Sequence, residues 1–328
     1  MKKKLFAVLA ATLAGATLSL SACTSGSSKI TLKNYWNVNT DYTSNETIDE
    51  TLTYAVSYES YESEAINYDL DYDGTYQTTL TWDATNNLYV FTSKLQIKAT
   101  FTVGDESEIK EDDVYTVAYF HKAGGTDSLR PVYSYREITS HSPIATNRAS
   151  TTEDCYERYD YKIETNYDNG QGKCTIIQEF YNKELDETLE IARQEKSFNA
   201  TNKKYSVFDN EQFPVAFRAM PSGTNTKVQM YNPFLERSQN YKVSLSGDTK
   251  EKKYSYTLNG STVEPTIHYH TASIAVDGTA SGQAQWAEIA TIQNEQANID
   301  HRIMLAYYAP LSHNIGVLQY KLTTAQYK

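Results

Sequence analysis

A chain of 328 residues has room for one large β domain or two modest ones. Its formal charge of −11 argues against a nucleic-acid partner, which needs clustered Lys and Arg, and against close electrostatic contact with anionic lipid head groups. Cysteine is sparse, with only Cys23, Cys155 and Cys174.

The N-terminus carries an address. Lys2, Lys3 and Lys4 form a positive segment, and Leu5 to Leu20 is apolar apart from small residues. That run is short of the about 20 residues a bilayer span requires, and it fits the core of a signal peptide. It ends in Leu20-Ser21-Ala22-Cys23, which looks like the lipobox of bacterial lipoproteins. Small Ser21 and Ala22 suit a narrow peptidase cleft, and the Cys23 thiol is the nucleophile that takes up diacylglycerol. The expectation is a signal peptide at 1–22 and an acylated Cys23 held on the extracytoplasmic face of a bacterial membrane. Two acyl chains or more give stable anchoring where one gives only reversible binding. Cleavage would leave 306 of the 328 residues and, with three lysines removed, a charge of −14. Residues 23–29 form a short Ser/Gly tether.

From Ile30 onward the composition is that of β structure, with 28 Tyr and few Pro. Alternation predicts strands through Leu52–Tyr58, Ile66–Tyr72, Tyr76–Trp82, Tyr89–Phe101, Val114–Phe120 and Val132–Ile138. Tyr156–Tyr167 and Cys174–Tyr181 follow, and Lys183–Phe198 reads as a solvent-faced strand, although its Leu and Ile spacing also allows a helix. Later strands are predicted at Lys227–Tyr231, Tyr241–Leu245, Lys253–Leu258, Thr266–Val276, Gln283–Ile292, Arg302–Tyr308 and Ile315–Leu322. Asp73-Gly74, Gly124-Gly125, Asn169-Gly170, Asn259-Gly260 and Asp277-Gly278 are hairpin turn signals between them. One segment breaks the pattern. Asp209 can cap a helix, Pro214 suits its first turn, and Phe213, Phe217 and Met220 fall on one face. The prediction is a mostly β fold over 30–328: one large curved antiparallel sheet, a half-barrel or open barrel, with one or two short helices. The softest boundary is Pro221 to Thr226, but one continuous sheet is expected.

Three short stretches resemble a known family in order. Glu50-Thr51-Leu52-Thr53-Tyr54-Ala55-Val56-Ser57-Tyr58 resembles the first strand of certain bacterial envelope domains of unknown function. Ser128-Leu129-Arg130-Pro131-Val132-Tyr133 and Phe208-Asp209-Asn210-Glu211-Gln212-Phe213 continue the resemblance. Those domains are similar to the half-barrels of outer-membrane lipoprotein carriers, in which one bent sheet wraps a small helical element. The resemblance implies a shape and carries no catalytic residues.

Candidate sites are few. Asp69-Leu70-Asp71-Tyr72-Asp73-Gly74 matches the start of a calcium loop, with three carboxylates at alternate positions and a Gly for the sharp turn. Position twelve, normally a bidentate Glu, is Leu80. The same residues also read as the wet face of a strand ending in a hairpin, and no cofactor is expected beyond this candidate calcium. His268 and His270 share one strand face, with no third ligand nearby in sequence. Cys155 and Cys174 could pair in an oxidising compartment. A turn at Asn169-Gly170 sets Cys174 opposite about Thr165, roughly ten residues and near 30 Å from Cys155 at about 3.3 Å per residue. A disulfide needs Cα atoms within about 7 Å, so pairing would require the chain before Tyr159 to fold back. No serine-hydrolase elbow, zinc-protease helix, phosphate loop or Cys-x-x-Cys is present, and Gly278-Thr279-Ala280-Ser281-Gly282 holds its serine one residue out of register. The expected function is non-catalytic binding of an apolar ligand or a cell-envelope component. A protein- or glycan-binding Tyr-rich face is the alternative, and an envelope hydrolase using two of the 41 acidic residues is a third.

Overall fold

The computed structural model describes residues 29–30, 48–61, 64–122, 129–182, 187–277, 284–294, 299–311 and 314–327. Cys23, Gly124-Gly125 and the Gly278 to Gly282 segment lie outside the described residues.

Eight strands follow one another in the first part of the chain: β1 (Asp49–Ser60), β2 (Asp69–Asp83), β3 (Leu88–Val103), β4 (Glu106–Phe120), β5 (Pro131–Pro143), β6 (Tyr156–Asp168), β7 (Gln171–Asn182) and β8 (Glu187–Asn199). Each pairs antiparallel with the next. This is an antiparallel meander: several of its connections are two to four residues long, and parallel neighbours would need long crossovers. The described part of the ambiguous Lys183–Phe198 segment is strand β8. At Asn169-Gly170 both residues have positive φ, as a two-residue hairpin demands. The register that follows sets Cys174 opposite Thr165.

The second part holds β9 (Ser206–Phe208), α1 (Phe213–Arg218), β10 (Asn225–Asn232), β11 (Arg237–Leu245), β12 (Lys250–Lys253), β13 (Tyr256–Leu258), β14 (Ser261–Val263), β15 (Thr266–Val276), β16 (Gln285–Asn294), β17 (Ile299–Pro310) and β18 (Gly316–Tyr327). The last strand returns to the first, β18 pairing antiparallel with β1 from Ser60↔Gly316 to Glu50↔Tyr327. The ladder therefore runs from β8 back to β1, across to β18, β17, β16 and β15, then to β11, β10 and β9. Two short pairings, β9 with β10 and β13 with β18, are parallel, a departure from the fully antiparallel sheet expected.

The sheet curves until its ends face each other, and side chains close the gap. Phe198 of β8 stacks on Tyr231 of β10 with ring centroids 4.0 Å apart. Tyr161 meets Phe234 edge-on at 5.5 Å, and Lys196 pairs with Glu236 at 2.9 Å. Among the described residues this seam joins two regions whose backbones are not paired with each other, and it covers edges that would otherwise invite pairing with another chain.

The sequence signal that fails is Asp73-Gly74. No hairpin forms there, because β2 runs straight through it. Asp73 pairs with Lys98 and Gly74 with Ile97 on one side, and the same residues face Ser57 and Val56 on the other. A Cβ at Gly74 would stand against the Gln96 carbonyl oxygen and Ile97, so the glycine permits close strand approach.

The helix α1 lies inside the curve. Pro214 occupies its first turn and Gln212 its N-cap position, without a side-chain cap bond. Asp209 acts earlier than a cap, accepting the Glu211 backbone N–H at 2.8 Å. Six residues cannot hold a helix in water, so packing must. Phe213, Val215, Ala216, Phe217, Ala219 and Met220 are all buried, in one cluster with Leu80, Phe91, Phe120, Val228, Tyr241 and Ile289. Arg218 extends the other way into the sheet, where it forms a bidentate pair with Glu50 at 2.7 and 2.8 Å and donates Nε–H to the Arg302 carbonyl. Among the described residues no helix is long and apolar enough to cross a membrane.

Candidate functional site: a cavity inside the curved sheet

Wrapping a sheet this large around a six-residue helix leaves space. A cavity of about 390 Å³ lies between the inner face of the sheet and α1, within the about 300–1,000 Å³ typical of small-molecule sites. Its apolar wall is the alternation of β3 to β6 read on one face: Leu95, Ile97, Val114, Ile138 and Ile163. Phe213, Pro214 and Phe217 of the helix close one side, and Met304, Leu318 and the contacting rings of Tyr307 and Tyr320 close another.

A polar row crosses this wall. Register places Ser93, Thr116, Arg136 and Ile163 side by side across β3 to β6. Ser93 and Thr116 share a hydrogen bond of 2.7 Å. Arg136 sits in phase with Ser134 and Ile138, so its strand aims the guanidinium inward. There it lies 3.5 Å from Glu211, in the turn before α1. Burial pushes the Glu211 carboxyl up, Arg136 opposes that, and Asp209 adds to it, leaving it at about 7. Asp209 itself is buried and raised by desolvation, against hydrogen bonds from Tyr167 at 2.6 Å and Ser134 at 2.8 Å. Asp112 also reaches the cavity wall. It accepts from the His141 backbone N–H and imidazole Nδ1, both at 2.8 Å, and from Ser140 at 3.0 Å.

The predicted site residues fall in different places. Phe213 and Phe217 line the cavity, and Met220 is buried beside them in the core. Asp69, Asp71 and Asp73 alternate along the exposed face of β2. The sharp loop that would converge three carboxylates on calcium is not formed, because the strand pairs continuously through Gly74. His268 is exposed, with its Nδ1 3.9 Å from Glu251. His270 donates Nδ1–H to the Ser246 carbonyl at 2.9 Å, and its Nε2 lies 3.1 Å from the Ser222 hydroxyl. Among the described residues no three His, Cys, Asp or Glu side chains form a metal-binding group. Cys155 and Cys174 are free and buried, and burial pushes both thiols up to about 11, which keeps them protonated and poor nucleophiles.

Tyrosine is used on both faces: Tyr119, Tyr133 and Tyr135 lie out of phase with the inward Ser134 and Arg136 and are half-buried. Tyr54, Tyr68, Tyr72, Tyr89, Tyr241 and Tyr320 are buried. Among the large hydrophobic residues that stand exposed, Tyr115, at 44% exposure, is the one tyrosine described.

Sequence reasoning places an apolar ligand on the inner face of the sheet but misses Arg136 and Glu211 on the cavity wall. A signal for Arg136 was present: a charged residue in phase with the inward residues Ser134 and Ile138. Glu211 had none, since nothing local shows that the turn before α1 lies under β5.

No family model and no curated protein matches this chain. Among solved structures it is similar to the crystal structure of a β-barrel-like protein of domain of unknown function DUF1849 from Brucella abortus. The two share 8% identity with a TM-score of 0.46, over 86% of this chain and 98% of the other.

Proposed function

We propose that this chain is a lipid-anchored extracytoplasmic protein that binds an apolar ligand, without catalysis, in the cavity between its curved sheet and α1. The observation that carries this reading is the cavity of about 390 Å³ walled by Leu, Ile, Val, Phe and Tyr side chains. Apolar area removed from water stabilises a bound ligand by about 25 cal/mol per Å² before ordering costs. The lipobox pattern at Leu20 to Cys23 supports the anchor.

Two experiments test the two halves. Native mass spectrometry of the protein extracted in mild detergent should find a co-purified lipid beyond the covalent anchor, and an environment-sensitive apolar dye should bind once per chain. Val114→Trp, which fills the cavity from β4, should weaken that uptake by about tenfold or more, equivalent to about 1.4 kcal/mol, while far-UV circular dichroism stays unchanged. Equal uptake by the filled variant would place binding elsewhere. For the anchor, Cys23→Ala should leave the protein uncleaved or released into the soluble fraction. A variant still recovered as a cleaved, detergent-requiring membrane protein would remove the lipoprotein reading.

A further inference from the structure

The ligand's polar end can be read from the cavity's polar wall, given the proposal that an apolar ligand binds there. Among the described residues lining the cavity, Arg136 is the only Lys or Arg. Its side chain keeps 32% exposure although its strand lies between β4 and β6 and its direction is inward, so the accessible part faces the cavity. A guanidinium has five N–H donors. Arg136 uses one contact, at 3.5 Å, on Glu211, and its buried Nε–H meets no acceptor. The acceptors nearby are already engaged: Asp112 by His141 and Ser140, and Asp209 by Tyr167, Ser134 and the Glu211 N–H. The Nε–H of Arg136 is the donor left over at this spot, and the guanidinium is held by one long contact alone.

The geometry points to a long-chain monocarboxylic acid as the ligand class, its carboxylate on the Arg136 guanidinium and its chain along Leu95, Val114 and Ile138. A carboxylate matches the guanidinium fork with two parallel hydrogen bonds. A phosphate dianion would need a second cation, and no lysine lines the wall among the described residues. A cationic amphiphile would meet the Arg136 guanidinium beside the Glu211 carboxylate and be repelled by it.

Glu211 then acts as the gate. The groups that face it are Arg136 from β5, Asp209 from its own turn, Tyr76 from β2 and Tyr167 from β6. As a carboxylate it holds Arg136 and repels a ligand carboxylate. As a neutral acid it releases Arg136. Binding therefore takes one proton from solvent onto Glu211, whose titration lies at about 7. A simple carboxylate titrates near 4 in water, so the ligand itself stays ionised above pH 6. One-proton linkage then makes affinity fall about tenfold between pH 6 and pH 8.

The test titrates the purified full chain with a fluorescent long-chain fatty acid, its methyl ester and the corresponding primary amine, at both pH values. The acid should bind more tightly than ester or amine at pH 6 and lose about tenfold by pH 8. Glu211→Gln should bind the acid with pH-independent affinity, and Arg136→Gln should reduce the acid to the level of the ester. Acid and ester binding equally, or the amine binding best, would overturn the head-group inference and leave the cavity proposal standing. Binding of none of the three would remove both. Should Arg136→Gln fail to fold, a pH dependence that persists in Glu211→Gln is enough to overturn the gate.

Discussion

Phe217→Ala is expected to destabilise the protein by about 3–5 kcal/mol, the usual cost of truncating a fully buried Phe. Phe217 is 2% exposed and stacks on Phe213 with ring centroids 5.3 Å apart. The loss is a large share of the about 5–15 kcal/mol that holds a domain together. It falls where the fold has least in reserve, because α1 has only six residues and depends on this face for its existence. Chemical denaturation followed by tryptophan fluorescence would show the transition midpoint shifted far downward or the native baseline lost. Phe217 also borders the cavity, so protein that remains folded should take up a larger dye than the parent chain does. A variant with unchanged midpoint and unchanged uptake would mean that the helix does not support the inner face of the sheet.

Glu50→Ala should cost a comparable amount for a different reason. Glu50 and Arg218 each have 2% of the side chain exposed, and their bidentate pair lies between β1 and the end of α1. Forming such a pair adds little net stability, because both charges lose their water. Removing one partner is different. Among the described residues it leaves the buried guanidinium only the Arg302 carbonyl as hydrogen-bond partner, and stranded charges of this kind cost about 3–5 kcal/mol. The double variant Glu50→Leu with Arg218→Met replaces the pair by apolar groups of similar length. It should recover most of the loss, since such replacements are often neutral or stabilising. A double variant as unstable as Glu50→Ala alone would show that packing around Arg218, and not the unpaired charge, sets the cost.

Much of the fold was legible because β structure writes itself into local order. Strand alternation in Leu52–Tyr58 and Tyr89–Phe101 is a property of neighbours in sequence, and both segments are strands with those faces buried. Asn169-Gly170 names its own turn, since positive φ at two successive positions is a demand on residue type. From that turn the opposition of Thr165 and Cys174 followed by counting. The helix declared itself the same way, through the spacing of Phe213 and Phe217, although it stops at Arg218 and leaves Met220 beyond its end.

What required the tertiary structure was every contact between segments distant in sequence. Asp73-Gly74 has the composition of a turn, yet the chain stays extended because β1 and β3 pair with it on both sides and together outweigh the local preference. The return of β18 to β1 and the side-chain seam between Phe198 and Tyr231 join residues with no signal in common. The cavity belongs to this second kind. Arg136 and Glu211 are 75 positions apart, and neither is unusual in its own stretch of chain. They form a site only because sheet curvature carries β5 over the turn before α1 and sets the two side chains 3.5 Å apart. Alternation and turn chemistry act within a few residues and so can be read along the chain. Curvature sums small twists over many strands, and only the assembled sheet contains that sum.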